Sequence, residues 1–301
     1  MACGLEGFTT LSRAFLTAEW RHLAMLNFVA DPKLLEPFVP AGTELDFHES
    51  ETFVSVVGFM FLQTRVIGLP IPFHRNFEEV NLRLYVRKQS PEGWRRGVVF
   101  VRELVPRRAI AFVARAFYDE PYLAVPMRHS IAQGPEGLAV QYQWWRGGLW
   151  ETLGMKAAGG LHDSGPGSHE EFITEHYWGY TKRPGATSEY QVEHPRWRVW
   201  PATSWNLDVD VAGLYGAAFV ETLNATPASA FIAEGSVVTV RRRTRDPNLE
   251  GKLLASLVSN FEMGEASSFP YSRSISQRAR DSAYFRVINS RSTNGRIPPC
   301  R

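Results

Sequence analysis

The segment FEEVNLRLYVRK, residues 77–88, is the clearest structural signal in this 301-residue chain. Apolar and polar residues alternate along it, and this period of two is typical of a β-strand with two different faces. One face carries Val80, Leu82, Leu84 and Val86, and the other carries Glu79, Asn81, Arg83 and Tyr85. A strand of this length favours a central place in a sheet. The alternation leaves two readings of the polar face open: a cavity lining, or a wet surface with an ordinary Glu79–Arg83 pair.

More strands than helices are predicted on either side of this segment. The predicted strands are 19–29, 44–48 and 52–66 (as a hairpin), 97–105, 128–133, 138–145, 188–200 and 235–243. Asp31-Pro32 starts a short helix, and further helices are predicted over 107–118, 169–180 and about 210–223, with a Gly-rich loop at 146–168. Consecutive strands favour an α+β fold that is mainly antiparallel. Because 52–66 is apolar on both faces, we expect closure into a closed or cone-like β-barrel with a few flanking helices.

Composition excludes several classes of protein. Hydrophobic residues make up 44% and charged residues 21%, which is ordinary for a globular chain and unlike disordered, collagen-like or coiled-coil proteins. The longest apolar stretch, 53–62, is too short to cross a bilayer, which takes about 20 residues. The N-terminus has no signal-peptide pattern, and Cys3 and Cys300 cannot form a disulfide framework. We therefore expect a cytoplasmic protein with no membrane partner.

Charge and composition divide the chain into three regions. Residues 1–17 are a lead-in, 18–245 form a single domain, and 246–301 form a Ser/Arg-rich tail that we expect to be disordered. Residues 265–301 contain seven arginines and two acidic residues, a charge of +5, so the whole-chain charge of +2 leaves −3 for the rest. An acidic body argues against a nucleic-acid partner.

Known chemical motifs are missing from the sequence, which contains no GxGxxG, P-loop, GxSxG or CxxC. His169 and His176 lie seven apart in HEEFITEH, which is not a zinc motif, so no metal and no cofactor are expected. An aromatic cluster interleaved with Arg196 and Arg198 could stack nucleic acid, wall a pocket or form a core. Its members are Tyr177, Trp178, Tyr180, Tyr190, Trp197 and Trp200.

Seven segments in order resemble the YqjF-like family, a domain of unknown function (family 2071), over about 18–243. They are TAEWRHLAMLNF (17–28), PAGTELD (40–46), IPFHRNFEEVNLRLYV (71–86), RRGVVFVRELVPRRAIAFVARAFYDEPY (95–122), FITEHYWGY (172–180), EYQVEHPRWRVWPA (189–202) and AEGSVVTV (233–240). That family is similar in fold to the acetoacetate decarboxylase superfamily. The resemblance implies a cone-like, mainly antiparallel β-barrel with an internal pocket.

The resemblance also implies an active-site carboxylate but no reactive amine. Phe77-Glu78-Glu79 matches a Tyr-x-Glu segment of the decarboxylases, which makes Glu79 the retained carboxylate. Their Arg-Glu-x-Trp-Gly-x-Pro-Lys-Lys segment matches 115–123, where Tyr122 and Leu123 stand in place of both lysines. Schiff-base chemistry needs an amine, so decarboxylation by that route is excluded.

We therefore predict that the chain binds a small oxygenated or anionic organic molecule. Glu79 would act as acid, base or acceptor, Arg83 and Arg115 would hold a carboxylate, and His194 and Tyr122 would donate protons or shape the pocket. Asn81, Trp197 and Tyr177 complete the predicted ligand-binding set. One alternative is a lyase or hydrolase that uses Glu79 and His194 as an acid–base pair; another is a non-catalytic interaction protein with a filled barrel. A homo-oligomer is left open.

Overall fold

A computed structural model describes residues 14–70, 74–106, 120–135, 137–183 and 185–241. The chain divides into two compact units, 1–247 and 248–301. The second unit lies outside the described residues, and so do the expected disordered tail at 246–301, the expected helix at 107–118 and Arg115. None of the described helices is long and apolar enough to cross a membrane.

Strands dominate the described part of the first unit. They are β1 (Ala14–Ala30), β2 (Glu44–Leu45), β3 (Thr52–Val66), β4 (Leu69–Pro70), β5 (Phe77–Ser90), β6 (Gly93–Val105), β7 (Tyr122–Ala124), β8 (Met127–Gly134), β9 (Gly137–Arg146), β10 (Leu149–Ala157), β11 (His162–Asp163), β12 (Trp178–Arg183), β13 (Ala186–Glu193), β14 (Arg198–Asp208) and β15 (Ser229–Arg241). The helices are short: α1 (Pro32–Leu35), α2 (His169–Thr174), α3 (Val211–Leu214) and α4 (Val220–Asn224), with 3₁₀ turns at Glu36–Phe38 and Ala217–Phe219. The prediction of a strand-rich fold with few helices is confirmed.

The sheet runs in the order β1-β3-β5-β6-β12-β13-β15-β14-β10-β9-β8, and β1 also pairs with β15. Neighbouring strands are antiparallel, except that β6 runs parallel to β12 and to β7. One row of residues crosses three strands, because Asn81 on β5 is opposite Glu103 on β6, and Glu103 is opposite Tyr122 on β7. This register brings Asn81, Glu103 and Tyr122 together.

The strand β5 is buried on both faces over most of its length, which decides between the two readings of its polar face. Glu79, Asn81 and Tyr85 are as buried as the leucines between them, and Arg83 is half-buried. The neighbouring strand β3 is also buried on both faces from Thr52 to Phe61, as its doubly apolar sequence predicts. The polar face of β5 is therefore interior and not a wet surface.

Several local predictions are wrong for identifiable reasons. The segment 44–48 does not form a hairpin with 52–66; Glu44 instead pairs with Arg87 on β5. The Gly-rich segment 146–168 is not all loop, because Gly147 and Gly148 adopt positive φ and turn β9 into β10. The predicted strand 188–200 is two strands, β13 and β14, separated at 194–197, a segment that contains Pro195.

The predicted helix 169–180 is also too long. Ser168 caps its start, accepting a hydrogen bond from the Glu171 N–H, but the helix ends at Thr174 and β12 begins at Trp178. His169 and His176 therefore do not share a helix face. The start of α1 is confirmed, because the Asp31 carboxylate accepts a hydrogen bond from the Lys33 N–H and Pro32 occupies the first turn.

Candidate functional site

The site is built on the interior polar row of β5. Alternate residues of a strand point to the same face, so Glu79, Asn81, Arg83 and Tyr85 lie in line at intervals of about 7 Å. Glu79 is 3% exposed, Asn81 2% and Tyr85 1%. Polar side chains this deeply buried require hydrogen-bond partners. The partners of each residue define three parts of the row.

Glu79 occupies the first part and accepts two hydrogen bonds. Asn81 donates Nδ2–H to Oε1 at 3.0 Å, and Tyr122 donates its hydroxyl to Oε2 at 3.0 Å. Burial raises the pKa of Glu79 to about 7, although these two bonds and the nearby Arg83 charge act to lower it. This carboxyl group therefore exchanges its proton near neutral pH, as an acid–base group does.

A second carboxyl group, Glu103, lies beside Glu79 and is 1% exposed. Burial raises its pKa well above the ordinary value, and the charges of Glu120 and Glu79 raise it further, so the surroundings of Glu103 favour its protonated form. Its Oε2 atom is buried without a hydrogen-bond partner among the described residues, and so is Oδ1 of Asn81. Glu120, also buried, accepts hydrogen bonds from Thr181 at 2.8 Å and Tyr190 at 3.1 Å.

Neither Glu103 nor Glu120 was among the predicted site residues. The register of β5, β6 and β7 brings Glu103 next to Asn81 and Tyr122. The sequence carries one usable signal, because in FVRELV the residue Glu103 alternates with Val101 and Val105, and a glutamate on an apolar strand face is expected to be buried. The position of Glu103 next to Asn81 follows only from the pairing of β6 with β5, which the sequence pattern does not give.

Arg83 occupies the middle of the row. Its Nη2 donates to the Ile173 carbonyl at 3.2 Å, and its Nε donates to the Tyr85 hydroxyl at 3.4 Å. Within the described part of the chain Arg83 forms no ion pair, and its Nη1 has no hydrogen-bond partner. Its charge helps to lower the pKa values of Glu79, His176 and His194. The guanidinium therefore lies near all three groups.

Tyr85 marks the last part of the row. Its hydroxyl is 2.6 Å from Oγ of Ser55, which donates to Asn27 at 2.6 Å. The ring of His176 lies 4.7 Å from the Tyr85 ring, and His176 Nε2 is 3.1 Å from a carboxylate oxygen of Asp46. Burial lowers the pKa of His176 to about 4, so the imidazole is neutral and donates Nε2–H to Asp46.

His194 lies in a separate aromatic stack. Its ring packs on Trp197 at 4.1 Å and against Tyr177 at 4.7 Å, and its Nδ1 is 2.9 Å from the Pro195 carbonyl. Trp197 donates Nε1–H to Ser236 at 2.9 Å, and Tyr177 donates its hydroxyl to Glu175. Burial lowers the pKa of His194 to about 4. The stack is thus rigid and uncharged at neutral pH.

The predicted site residues fall into two groups. Glu79, Asn81 and Tyr122 are in direct contact, whereas Tyr177, His194 and Trp197 form the stack; Arg83 influences both through its charge. The charge of Glu79 is not among the causes of the His194 pKa shift, and His194 is not among the causes of the Glu79 pKa shift. Arg115 lies outside the described residues. No three His, Cys, Asp or Glu side chains in the described ranges are arranged to hold a metal ion.

Solved structures share this fold. An acetoacetate decarboxylase from Legionella pneumophila is 11% identical, with 80% of this chain and 90% of that chain covered and a TM-score of 0.53. The enduracididine biosynthesis enzyme MppR, complexed with pyruvate, is 13% identical, with 79% and 92% covered and a TM-score of 0.57. An acetoacetate decarboxylase-like enzyme from Sphingomonas wittichii is 14% identical, with 81% and 99% covered and a TM-score of 0.52. The fold class is therefore that of the acetoacetate decarboxylase-like proteins.

Within that class, sequence comparison gives the family. DUF2071, described as an uncharacterised conserved protein, matches residues 17–237, so the chain belongs to this family. The uncharacterised protein YqjF of Bacillus subtilis is 30% identical over 110 residues, which cover 36% of this chain and 44% of YqjF. The match thus spans less than half of the length of that relative. The predicted family is confirmed.

Proposed function

We propose that this protein binds a small organic carboxylate or related oxygenated molecule non-covalently at Arg83 and Glu79. The observation that carries the proposal is Arg83, a half-buried guanidinium with no ion pair among the described residues and an Nη1 group without a partner. Charges inside proteins are normally paired, because desolvation of an unpaired charge is costly. An anion bound at Nη1 would supply the missing partner.

The sheet supports an enclosed binding site. Pairing runs from β1 through β3, β5, β6, β12, β13 and β15, and β15 pairs again with β1. A ring of paired strands of this kind closes a barrel, and we infer the cone-like barrel on this ground. The apolar row of β5 faces β9 and β10, which are not part of that ring, because a Cβ atom at Gly58, opposite Val80, would lie 2.6 Å from the Tyr142 ring. The buried polar row points to the other side of the strand and would face the interior of that barrel.

The carboxyl groups suit an oxygenated ligand. A protonated Glu103 can donate a hydrogen bond to a carbonyl or carboxylate oxygen, and Glu79 can give or take a proton near neutral pH. Among the described residues, Glu103 Oε2 and Asn81 Oδ1 have no hydrogen-bond partner, and these two residues are opposite each other on β6 and β5. The fold neighbour MppR is described in complex with pyruvate, a small oxo acid of this chemical class.

A Schiff base is not part of the proposal. Tyr122 and Leu123 occupy the positions that correspond to the two decarboxylase lysines, and the Tyr122 hydroxyl is engaged with Glu79. Lys88 contacts Glu189 at 2.6 Å and Lys182 donates to the Pro37 carbonyl at 2.9 Å, while Lys33 and Lys156 are exposed. We further propose that the protein works in the cytoplasm, as its cysteine content predicts.

Isothermal titration calorimetry with pyruvate, acetoacetate and acetate tests this function. The variants are Arg83→Gln and its control Arg87→Gln, which removes a partly exposed arginine of the same strand that is already paired with Glu44. We expect at least one of the three acids to bind the wild type and Arg87→Gln equally, and to bind Arg83→Gln at least tenfold more weakly. No binding to the wild type, or equal binding to Arg83→Gln, would refute it.

A further inference from the structure

The His194 side chain is fixed in one tautomer by its surroundings. A backbone carbonyl can only accept a hydrogen bond, so the ring nitrogen beside the Pro195 carbonyl, Nδ1, carries the proton. In a neutral imidazole the other nitrogen, Nε2, then holds a lone pair and acts as an acceptor. Burial keeps the ring neutral over the physiological range of pH.

Packing also fixes the ring orientation. Trp197 lies nearly parallel to the His194 ring, at 19°, and Tyr177 contacts the ring at 4.7 Å. Trp197 is itself held by its bond to Ser236 and is 3% exposed, and Tyr177 is held by Glu175. A side chain held by neighbours in this way is preorganised, so no ordering cost remains when a ligand binds.

Nε2 of His194 is unused within the described part of the chain. The half-buried ring makes its hydrogen bond through Nδ1 and has no partner at Nε2. Arg83 reaches the same region, because its Nη2 donates to the Ile173 carbonyl at 3.2 Å, four residues before Tyr177, whose ring contacts His194 at 4.7 Å. Arg83 has its own group without a partner among the described residues, Nη1. One cationic donor and one neutral acceptor are therefore both vacant at neighbouring positions.

We propose that His194 Nε2 accepts a hydrogen bond from a hydroxyl group of the ligand whose carboxylate binds Arg83, so that the site selects hydroxy acids. This inference rests on the proposed function, because it requires an acid at Arg83. An acid without a hydroxyl group can satisfy Arg83 but leaves the His194 acceptor unpaired. The ligand class narrows from carboxylates to carboxylates that carry a hydrogen-bond donor.

Paired ligands separate this inference from the proposed function. Calorimetry is done with 2-hydroxybutyrate, 3-hydroxybutyrate and 4-hydroxybutyrate, and with butyrate as the parent acid without the hydroxyl. We expect one hydroxy acid to bind the wild type about tenfold more tightly than butyrate, a difference typical of one buried hydrogen bond. Arg83→Gln should weaken both acids by similar factors.

Two substitutions at His194 test whether its Nε2 atom causes the preference for hydroxy acids. His194→Asn keeps an amide donor for the Pro195 carbonyl but has nothing at the position of Nε2, so the hydroxy acid preference should fall to within twofold of unity. His194→Gln can place its amide oxygen near the Nε2 position and should retain part of the preference. His162→Gln, at an exposed histidine, should leave the preference unchanged.

The outcomes are distinct. If the wild type binds hydroxy acid and butyrate equally, or if His194→Asn keeps the preference, the inference is wrong and the proposed function stands. If no acid binds, both fail. Should the His194 variants not fold, ¹⁵N NMR of the wild-type histidines decides: the His194 Nε2 resonance must move with the hydroxy acid and not with butyrate, and an unmoved resonance overturns the inference.

Discussion

The Tyr122 hydroxyl donates a hydrogen bond to Oε2 of Glu79 at 3.0 Å, from the position where the resemblance to acetoacetate decarboxylases places a lysine. A phenol in that position can share a proton with the carboxyl group but cannot attack a ketone to form an imine. In the proposed function this pair therefore acts through hydrogen bonding and not through a covalent intermediate.

Glu79 should make the protein less stable as the pH rises. Its folded pKa of about 7 lies above the ordinary value of 4.5, so its contribution is fully favourable below pH 4.5 and is lost between pH 4.5 and 7. Glu79→Gln removes this dependence. Urea unfolding should show that the variant gains roughly 2–3 kcal/mol relative to wild type between pH 4.5 and 8. A difference between the two proteins that does not change with pH would contradict the raised pKa.

Asp46 should be one of the carboxylates on which stability depends. It is 4% exposed, and one oxygen lies 2.6 Å from Arg96 Nε and 3.1 Å from His176 Nε2, which together lower its pKa despite burial. Asp46→Asn should lose about 2–3 kcal/mol of unfolding free energy at pH 7. Glu44→Gln, the same change in an exposed pair two residues away, should cost under about 1 kcal/mol. Equal losses of unfolding free energy in the two variants, measured by urea unfolding, would contradict a stabilising role for the buried contacts of Asp46 with Arg96 and His176.

Substitution of Gly97 by a larger residue should destabilise the protein, because β6 and β12 approach each other closely at this position. A Cβ atom at Gly97 would lie 2.5 Å from the Trp178 carbonyl oxygen and 2.6 Å from the Tyr180 ring. Gly97→Ala should therefore destabilise the protein by about 2–3 kcal/mol. Gly134→Ala, where nothing lies within 4 Å, should change stability by no more than about 0.5 kcal/mol. Thermal unfolding of both variants checks the parallel pairing of these strands.

No lysine should form an imine with a ketone substrate. After incubation with acetoacetate and sodium borohydride, the intact mass of the protein should be unchanged, because the two matching positions are Tyr122 and Leu123. A known Schiff-base enzyme treated in parallel provides the positive control. Reduction of any lysyl side chain onto the ketone would overturn the non-covalent account.

The sequence predicts the strand-rich fold because alternation is strong where a strand has two distinct faces, as in 77–88. It cannot say which face is inside, since an interior polar row and a wet surface give the same pattern. The sequence pattern also predicts too long a helix at 169–180. Trp178 and the following residues instead form β12, which pairs with β6 and β13. Long-range pairing overrides local helical pattern there.

The site residues also differ in whether a local pattern or long-range strand pairing determines their positions. Glu79, Asn81 and Arg83 follow from one strand and are predictable from it. Glu103 and Tyr122 join them only through the register of three strands that are distant in sequence. The orientation of His194 depends on its contacts with Trp197 and Tyr177, which the sequence pattern does not give. The pairing of His194 with Glu79 as acid and base stays a prediction.

Native mass spectrometry of the purified protein is the most direct test of an interior anion site. We predict that the wild type and Glu44→Gln carry a small oxygenated acid, or take one up from a mixture of short carboxylic acids, and that Arg83→Gln and Glu79→Gln do not. A wild-type protein that is empty and takes up none of the acids, or an Arg83→Gln variant that carries the same molecule, would contradict the account.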